Sequence, residues 1–282
     1  MNAFMKLLVI LAGIFAVQTA SAIMLTPQTI EILCTPSEPC GKSTGTTADG
    51  TIFQAEPNPT QPSTGTGVFQ PFVRIQDSSG TQNGYNTDAP NNDPEFDTKS
   101  GPWTHSVQFG DLGTIDIGGV TYYGLSLDAN ENGQAQSLAN QIDITDIQIY
   151  VGDSSLKIPE NNGGYTGTLF DWMDNALAGL APVWQLDGLT NGDVTAILQA
   201  SICDTNGQCG SGKGDLNVFI PTSLFTGSPN DYFVLYTEYD RVGSGFEEWR
   251  YLAAEDVPGP GTLVLLSVGL LGISFVRKLR MH

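Results

Sequence analysis

The stretch TIDIGGVTYYGLSL, Thr114 to Leu127, decides the fold class. Apolar and polar residues alternate on both sides of Gly118-Gly119, the period-two pattern of half-buried strands joined by a two-glycine hairpin turn. The same grammar recurs along the chain. Strands are predicted over Phe69 to Ile75, Thr104 to Phe109, Ile142 to Val151, Pro182 to Leu186, Val194 to Ile202, Leu216 to Ile220, Tyr232 to Tyr239 and Phe246 to Leu252. Five Asn-Gly pairs, at Asn83, Asn132, Asn162, Asn191 and Asn206, read as tight turns or loop corners between them. Only Leu169 to Leu180 reads as a short helix, with Asp171, Trp172 and Asp174 capping and packing it. The expected fold is all-β, a single jelly-roll-like β-sandwich over residues 68–256. Residues 23–67 are expected to form an N-terminal extension, with a loosely packed strand before Gln54, and a Pro/Thr/Gly-rich linker; Gln54 to Gly67 and Asn86 to Pro102 are expected as surface loops.

The two ends carry addresses. Lys6, the apolar run Leu7 to Val17 and the small residues Ala20, Ser21 and Ala22 form a signal peptide over 1–22, with cleavage by signal peptidase before Ile23. The run is too short for a membrane span of about 20 residues. At the other end, VPGPGTLVLLSVGLLGISFVRKLRMH divides into three parts. These are a hinge (Val257, Pro258, Gly259, Pro260 and Gly261), a transmembrane run over 262–276, and a basic end over 277–282 with Arg277, Lys278 and Arg280. At 1.5 Å per residue that run covers only about 22 Å, so it needs snorkelling basic side chains or a thinned bilayer to cross.

This tail resembles the PEP-CTERM sorting signal of Gram-negative bacteria. The family pattern has Val-Pro-Glu-Pro where this chain has Val257, Pro258, Gly259 and Pro260. The resemblance implies an exosortase as processing partner. It also implies passage through an inner-membrane-tethered periplasmic stage to the cell surface or the extracellular space. Phe109 to Asn132, Gly214 to Phe225 and Gly245 to Trp249 are similar to exported proteins of that type, which implies a β-rich body and brings no catalytic activity.

Charge narrows the partners. Between residues 23 and 256 seven basic residues face all 30 acidic ones, a net −23, and such a surface repels phosphate backbones. Nucleic acid is therefore not an expected partner. The cysteines fall in two equally spaced pairs, Cys34 with Cys40 and Cys203 with Cys209, which in an exported chain read as disulfide staples. Cross-pairing remains open, since four cysteines allow three connectivities. Zinc is the poorer reading, because no histidine lies near either pair.

Candidate chemistry is sparse. Asp128, Asn130, Asn132 and Gly133 fit D-x-[DN]-x-[DN]-G, the opening of a Ca²⁺ loop, but the twelfth position is Ala139, and Asp143 or Asp146 would have to complete the ligand set. A plain polar loop is the competing reading. Glu238, Asp240, Glu247, Glu248 and Trp249 read either as a glycosidase-like carboxylate group or as an acidic strand edge that resists aggregation. His105 is the sole histidine before the tail, no G-x-S-x-G accompanies it, and GSGKG at 210–214 lacks a P-loop's context. The expectation is a non-enzymatic envelope or matrix protein associated with surface or exopolysaccharide. Its alternative is a carbohydrate-binding or carbohydrate-cleaving module. Tyr122, Tyr123, Trp172, Trp184, Tyr232 and Trp249 discriminate the two: aligned and exposed they would make a sugar platform, buried they would make a core.

Overall fold

Strand alternation becomes layered structure when each strand's apolar side finds a common interior. The computed structural model describes residues 27–32, 43–55, 70–77, 80–86, 88, 97–99, 102–130, 141–156, 181–199, 214–243 and 245–252. They form fourteen strands: β1 (Gln28–Ile32), β2 (Thr44–Thr46), β3 (Ile52–Ala55), β4 (Val73–Ile75), β5 (Thr81–Tyr85), β6 (Val107–Gln108), β7 (Thr114–Ile117), β8 (Val120–Ala129), β9 (Gln141–Gly152), β10 (Trp184–Gln185), β11 (Val194–Gln199), β12 (Leu216–Pro221), β13 (Tyr232–Asp240) and β14 (Glu247–Tyr251). Helix is confined, among these residues, to single 3-10 turns. None of the described helices is long and apolar enough to cross a membrane.

The strands make two seven-stranded sheets. One runs β1-β11-β9-β13-β5, with β10 also on β9 and β6 also on β13; the other runs β2-β3-β12-β8-β14-β4, with β7 also on β8. We call them the β9 sheet and the β8 sheet. Eight strands (β4, β5, β8, β9, β11, β12, β13 and β14) may be numbered first to eighth along the chain. The β8 sheet then holds first, eighth, third and sixth side by side, and the β9 sheet second, seventh, fourth and fifth. Most connections therefore switch sheets.

Both sheets turn their apolar rows onto one core. Ile142, Ile144, Ile147 and Ile149 of β9 and Leu235 of β13 meet Leu125 and Leu127 of β8, Val218 of β12 and Trp249 of β14, all buried. The β7–β8 hairpin turns as its sequence requires: Gly118 and Gly119 both take positive φ, 63° and 87°, which side chains resist. A smaller cluster of Tyr122, Phe219 and Leu252 sits on the outer face of the β8 sheet.

Two expectations need correction and a third is sharpened. The N-terminal extension, expected to hold one loosely packed strand before Gln54, supplies β1, β2 and β3, and its Ile30, Ile32 and Phe53 are buried in the common core. Asn83-Gly84, expected to turn, lies inside β5, where Gly84 is pressed against Ile75 and Thr98 so closely that a Cβ would stand 2.7 Å from Thr98 Cγ2. Asn86, expected on a surface loop, is fully buried. Its amide fills the gap along β13 between β5 and β6: Nδ2 donates to Phe233 O at 3.0 Å and His105 O at 3.3 Å, and Oδ1 accepts from Leu235 N at 2.7 Å. Of the other Asn-Gly pairs, Asn191-Gly192 does turn, with Gly192 at φ 75°. The pairs at Asn132, Asn162 and Asn206 lie outside the described residues, as do the signal peptide, the short helix, all four cysteines and the tail from Val257 to His282.

Candidate functional site

The calcium motif is broken up by strand pairing. Asp128 still belongs to the β8 ladder, opposite Glu248 of β14, and its side chain is buried on the outer face of the β8 sheet. Asn130 follows directly, with its N–H donating to Phe246 O at 3.0 Å and its Nδ2 to the same oxygen at 3.2 Å. Asn132 lies outside the described residues. A ligand loop starting at Asp128 would have to leave the ladder there, and the backbone does not. Asp143 and Asp146 face outward from the other sheet, so the core stands between them and Asp128. Among the described residues no three His, Cys, Asp or Glu side chains gather as metal ligands.

The second group also separates. β14 runs between β8 and β4, so its carboxylates form no sheet edge. Glu247 is buried between the sheets and accepts a hydrogen bond from Gln82 Nε2 of β5. Glu248, one residue on, faces out and pairs with Arg74 at 3.1 Å. Arg74 lies over the rings of Phe246 at 3.6 Å and Trp103 at 4.8 Å, a cation held by aromatic faces. Burial pushes the Glu248 carboxyl up, and Arg74 opposes that rise. Trp249 belongs to the core, its Nε1 donating to the Tyr239 hydroxyl. Asp240 accepts from Thr81 Oγ1 at 2.7 Å at the end of β13. His105 is exposed, and its backbone N–H donates to Phe72 O at 2.9 Å.

Glu238 alone of that group enters a new constellation. It stands opposite Asp146 in the β13–β9 register, where Thr145 is an extra residue forming a bulge. On the outer face, Gln185, Gln148, Tyr236 and Tyr85 lie in one row across β10, β9, β13 and β5. Asp146, Glu238 and Asn83 form the next. Gln148 Nε2 donates to Asp146 Oδ2 at 2.6 Å, and the Tyr150 hydroxyl donates to Gln148 Oε1. The Tyr236 hydroxyl donates to Glu238 Oε2 at 2.8 Å, and Thr145 Oγ1 reaches Glu238 Oε1 at 3.5 Å. Tyr150 and Tyr236 are fully buried, whereas Asp146, Gln148 and Glu238 are half-exposed.

Electrostatics mark this patch. Burial, with the negative neighbours Asp187 and Glu238 adding to it and the Gln148 hydrogen bond opposing it, pushes the Asp146 carboxyl up to about 6. Burial first, then the negative charge of Asp146, drives the Tyr150 phenol upward. Tyr236 is driven the same way by burial and by its bond to Glu238. The nearest signal in the sequence is the spacing of the β9 isoleucines, which steps by three from Ile144 to Ile147 and so betrays the bulge. No protein-family description, curated protein or solved structure matches the chain.

Proposed function

We propose that the chain is an exported cell-envelope or extracellular-matrix protein without catalysis, delivered by an exosortase-processed tail and associated with surface or exopolysaccharide. Its body is a jelly-roll β-sandwich, a reading supported by the strand order of the two sheets, which follows the wrapping of two Greek keys. One observation carries the functional choice: of the six aromatics that a sugar platform would display, four are packed into the two apolar clusters, Tyr232 is half-buried, and Trp172 lies outside the described residues. Trp249 and Trp184 are core residues, Tyr122 is buried in the outer cluster, and Tyr123 packs against the core. The half-exposed rows of Gln148, Asp146, Glu238 and Asn83 favour a second reading, a carbohydrate-binding module that works through hydrogen bonds rather than stacking.

Two measurements test this. In a host that carries an exosortase, mass spectrometry of the secreted and surface fractions should find chains that begin at Ile23 and lack the tail. Exclusively full-length protein in the membrane fraction overturns the sorting. A glycan-binding screen separates the two readings of the body: saturable binding abolished by Asp146→Asn moves the conclusion to the second, and hydrolysis of any glycan refutes a role without catalysis.

A further inference from the structure

We propose that Asp146 and Glu238 form a proton-operated latch between the two central strands of the β9 sheet, closed while one proton is held on Asp146 and loosened when it is lost. Three features of the geometry carry it. The two carboxyls are cross-strand partners on one face, at the bulge where the β9–β13 ladder shifts register. Asp146 Oδ1 is buried and no side chain among the described residues donates to it, while Oδ2 is taken by Gln148 and the Ile147 N–H also lies against the carboxyl. Glu238 is engaged at both oxygens by hydroxyl donors, Tyr236 and Thr145. A proton on Asp146 therefore removes one of two facing like charges and neutralises a largely buried carboxyl.

The surroundings offer no competing cation. From the turn after β10, Asp187 adds a further negative charge, with Asp193 behind it. Along β9, Asp143 is matched by Arg241, whose Nε donates to it at 2.6 Å, so that guanidinium is already committed. Asp240 of β13 faces Asp143 and is held by Thr81 of β5. Tyr150 and Tyr236 stay protonated and act as donors throughout. When Asp146 gives its proton to water, charge appears opposite Glu238, and the repulsion between the two facing carboxylates loosens the β9–β13 pairing at the bulge. With the Asp146 carboxyl near 6, the change falls in the mildly acidic range that an exported protein meets outside the cell.

The test is hydrogen exchange of the full-length chain between pH 4.5 and 8, corrected for intrinsic exchange and read on peptides covering β9 and β13. Protection there should fall about tenfold or more as pH rises through 6, while β8 and β12 stay unchanged. Asp146→Asn should abolish the transition and hold the strands in the closed state at all pH values. Glu238→Gln, which leaves Asp146 without its facing charge, should shift the midpoint downward. Flat corrected protection in the parent chain overturns the latch. So does a transition that persists in Asp146→Asn, or a midpoint unmoved by Glu238→Gln.

Discussion

Replacing Asn86 by alanine should be among the most damaging single changes in this protein. The side chain is fully buried and acts as a one-residue strand: it takes the place of the missing ladder between β5 and β6. Alanine leaves the Leu235 N–H without its acceptor on a central strand away from water, and takes the second donor from the Phe233 carbonyl, which β6 also pairs. The orphaned N–H costs about 1–3 kcal/mol, and the lost bonds to Phe233 O and His105 O add about 0.5–1.5 kcal/mol each. The sum is about 3–5 kcal/mol, at the upper end for one substitution. For a domain of this size that corresponds to a drop in Tm of about 6–20 °C. Urea unfolding followed by tryptophan fluorescence should show the midpoint falling with an unchanged slope. Asn83→Ala is the control, because the Asn83 Oδ1 is buried without a partner among the described residues and its loss should cost under about 1 kcal/mol. If Asn86→Ala were no worse than that control, the account of Asn86 as a strand substitute would be wrong.

Two further outcomes follow from other contacts. Asp49 ties the β2–β3 turn to the β10–β11 loop, accepting from Thr47 Oγ1 at 2.6 Å, Thr51 N at 2.9 Å, Trp184 Nε1 at 2.7 Å and Asn191 Nδ2 at 2.9 Å. Asp49→Ala should cost about 2–4 kcal/mol in a denaturant titration. Burial alone would raise its carboxyl, but these donors hold it below the usual range, so its contribution is complete above the unfolded value near 3.8 and is lost as pH falls through the lower folded one. An acid titration of parent and variant should therefore converge at low pH; parallel curves would contradict it. At the hairpin, Gly119→Ala should cost about 1 kcal/mol through its positive φ, while the open space around it rules out a clash, so an Asn at the same position should recover most of the loss.

What the sequence discloses depends on what fills the inward positions of each strand. β8, β9, β11, β12, β13 and β14 were legible because Leu, Ile, Val, Phe and Trp alternate there. β5 was hidden because its inward positions are Gln82 and Gly84, one bonded to a buried carboxylate and the other pressed against Thr98. The pattern TQNGY therefore spells a turn although tertiary packing makes it a strand. β1 and β3 do alternate, but with only Ile30 and Ile32, or Phe53 and Ala55, turned inward they are too short to stand out beside a Pro-rich neighbour. The outer-face patch was unreadable for a different reason. Alternation assigns Asp146 and Glu238 each to a face of its own strand, but only the β9–β13 register makes them partners.

The edge strand β1 sets a constraint on the order of events. It lies parallel to β11, with Gln28 beside Val194 and Ile32 beside Leu198, so the first strand made is completed by one of the last. Parallel pairing across such a distance in sequence closes slowly. During synthesis, Ile30 and Ile32 must wait, uncovered, until most of the chain has followed them. The N-terminal strand is thus the segment that a holding chaperone would most profitably shield, and its docking passes the open edge of the β9 sheet from β11 to β1.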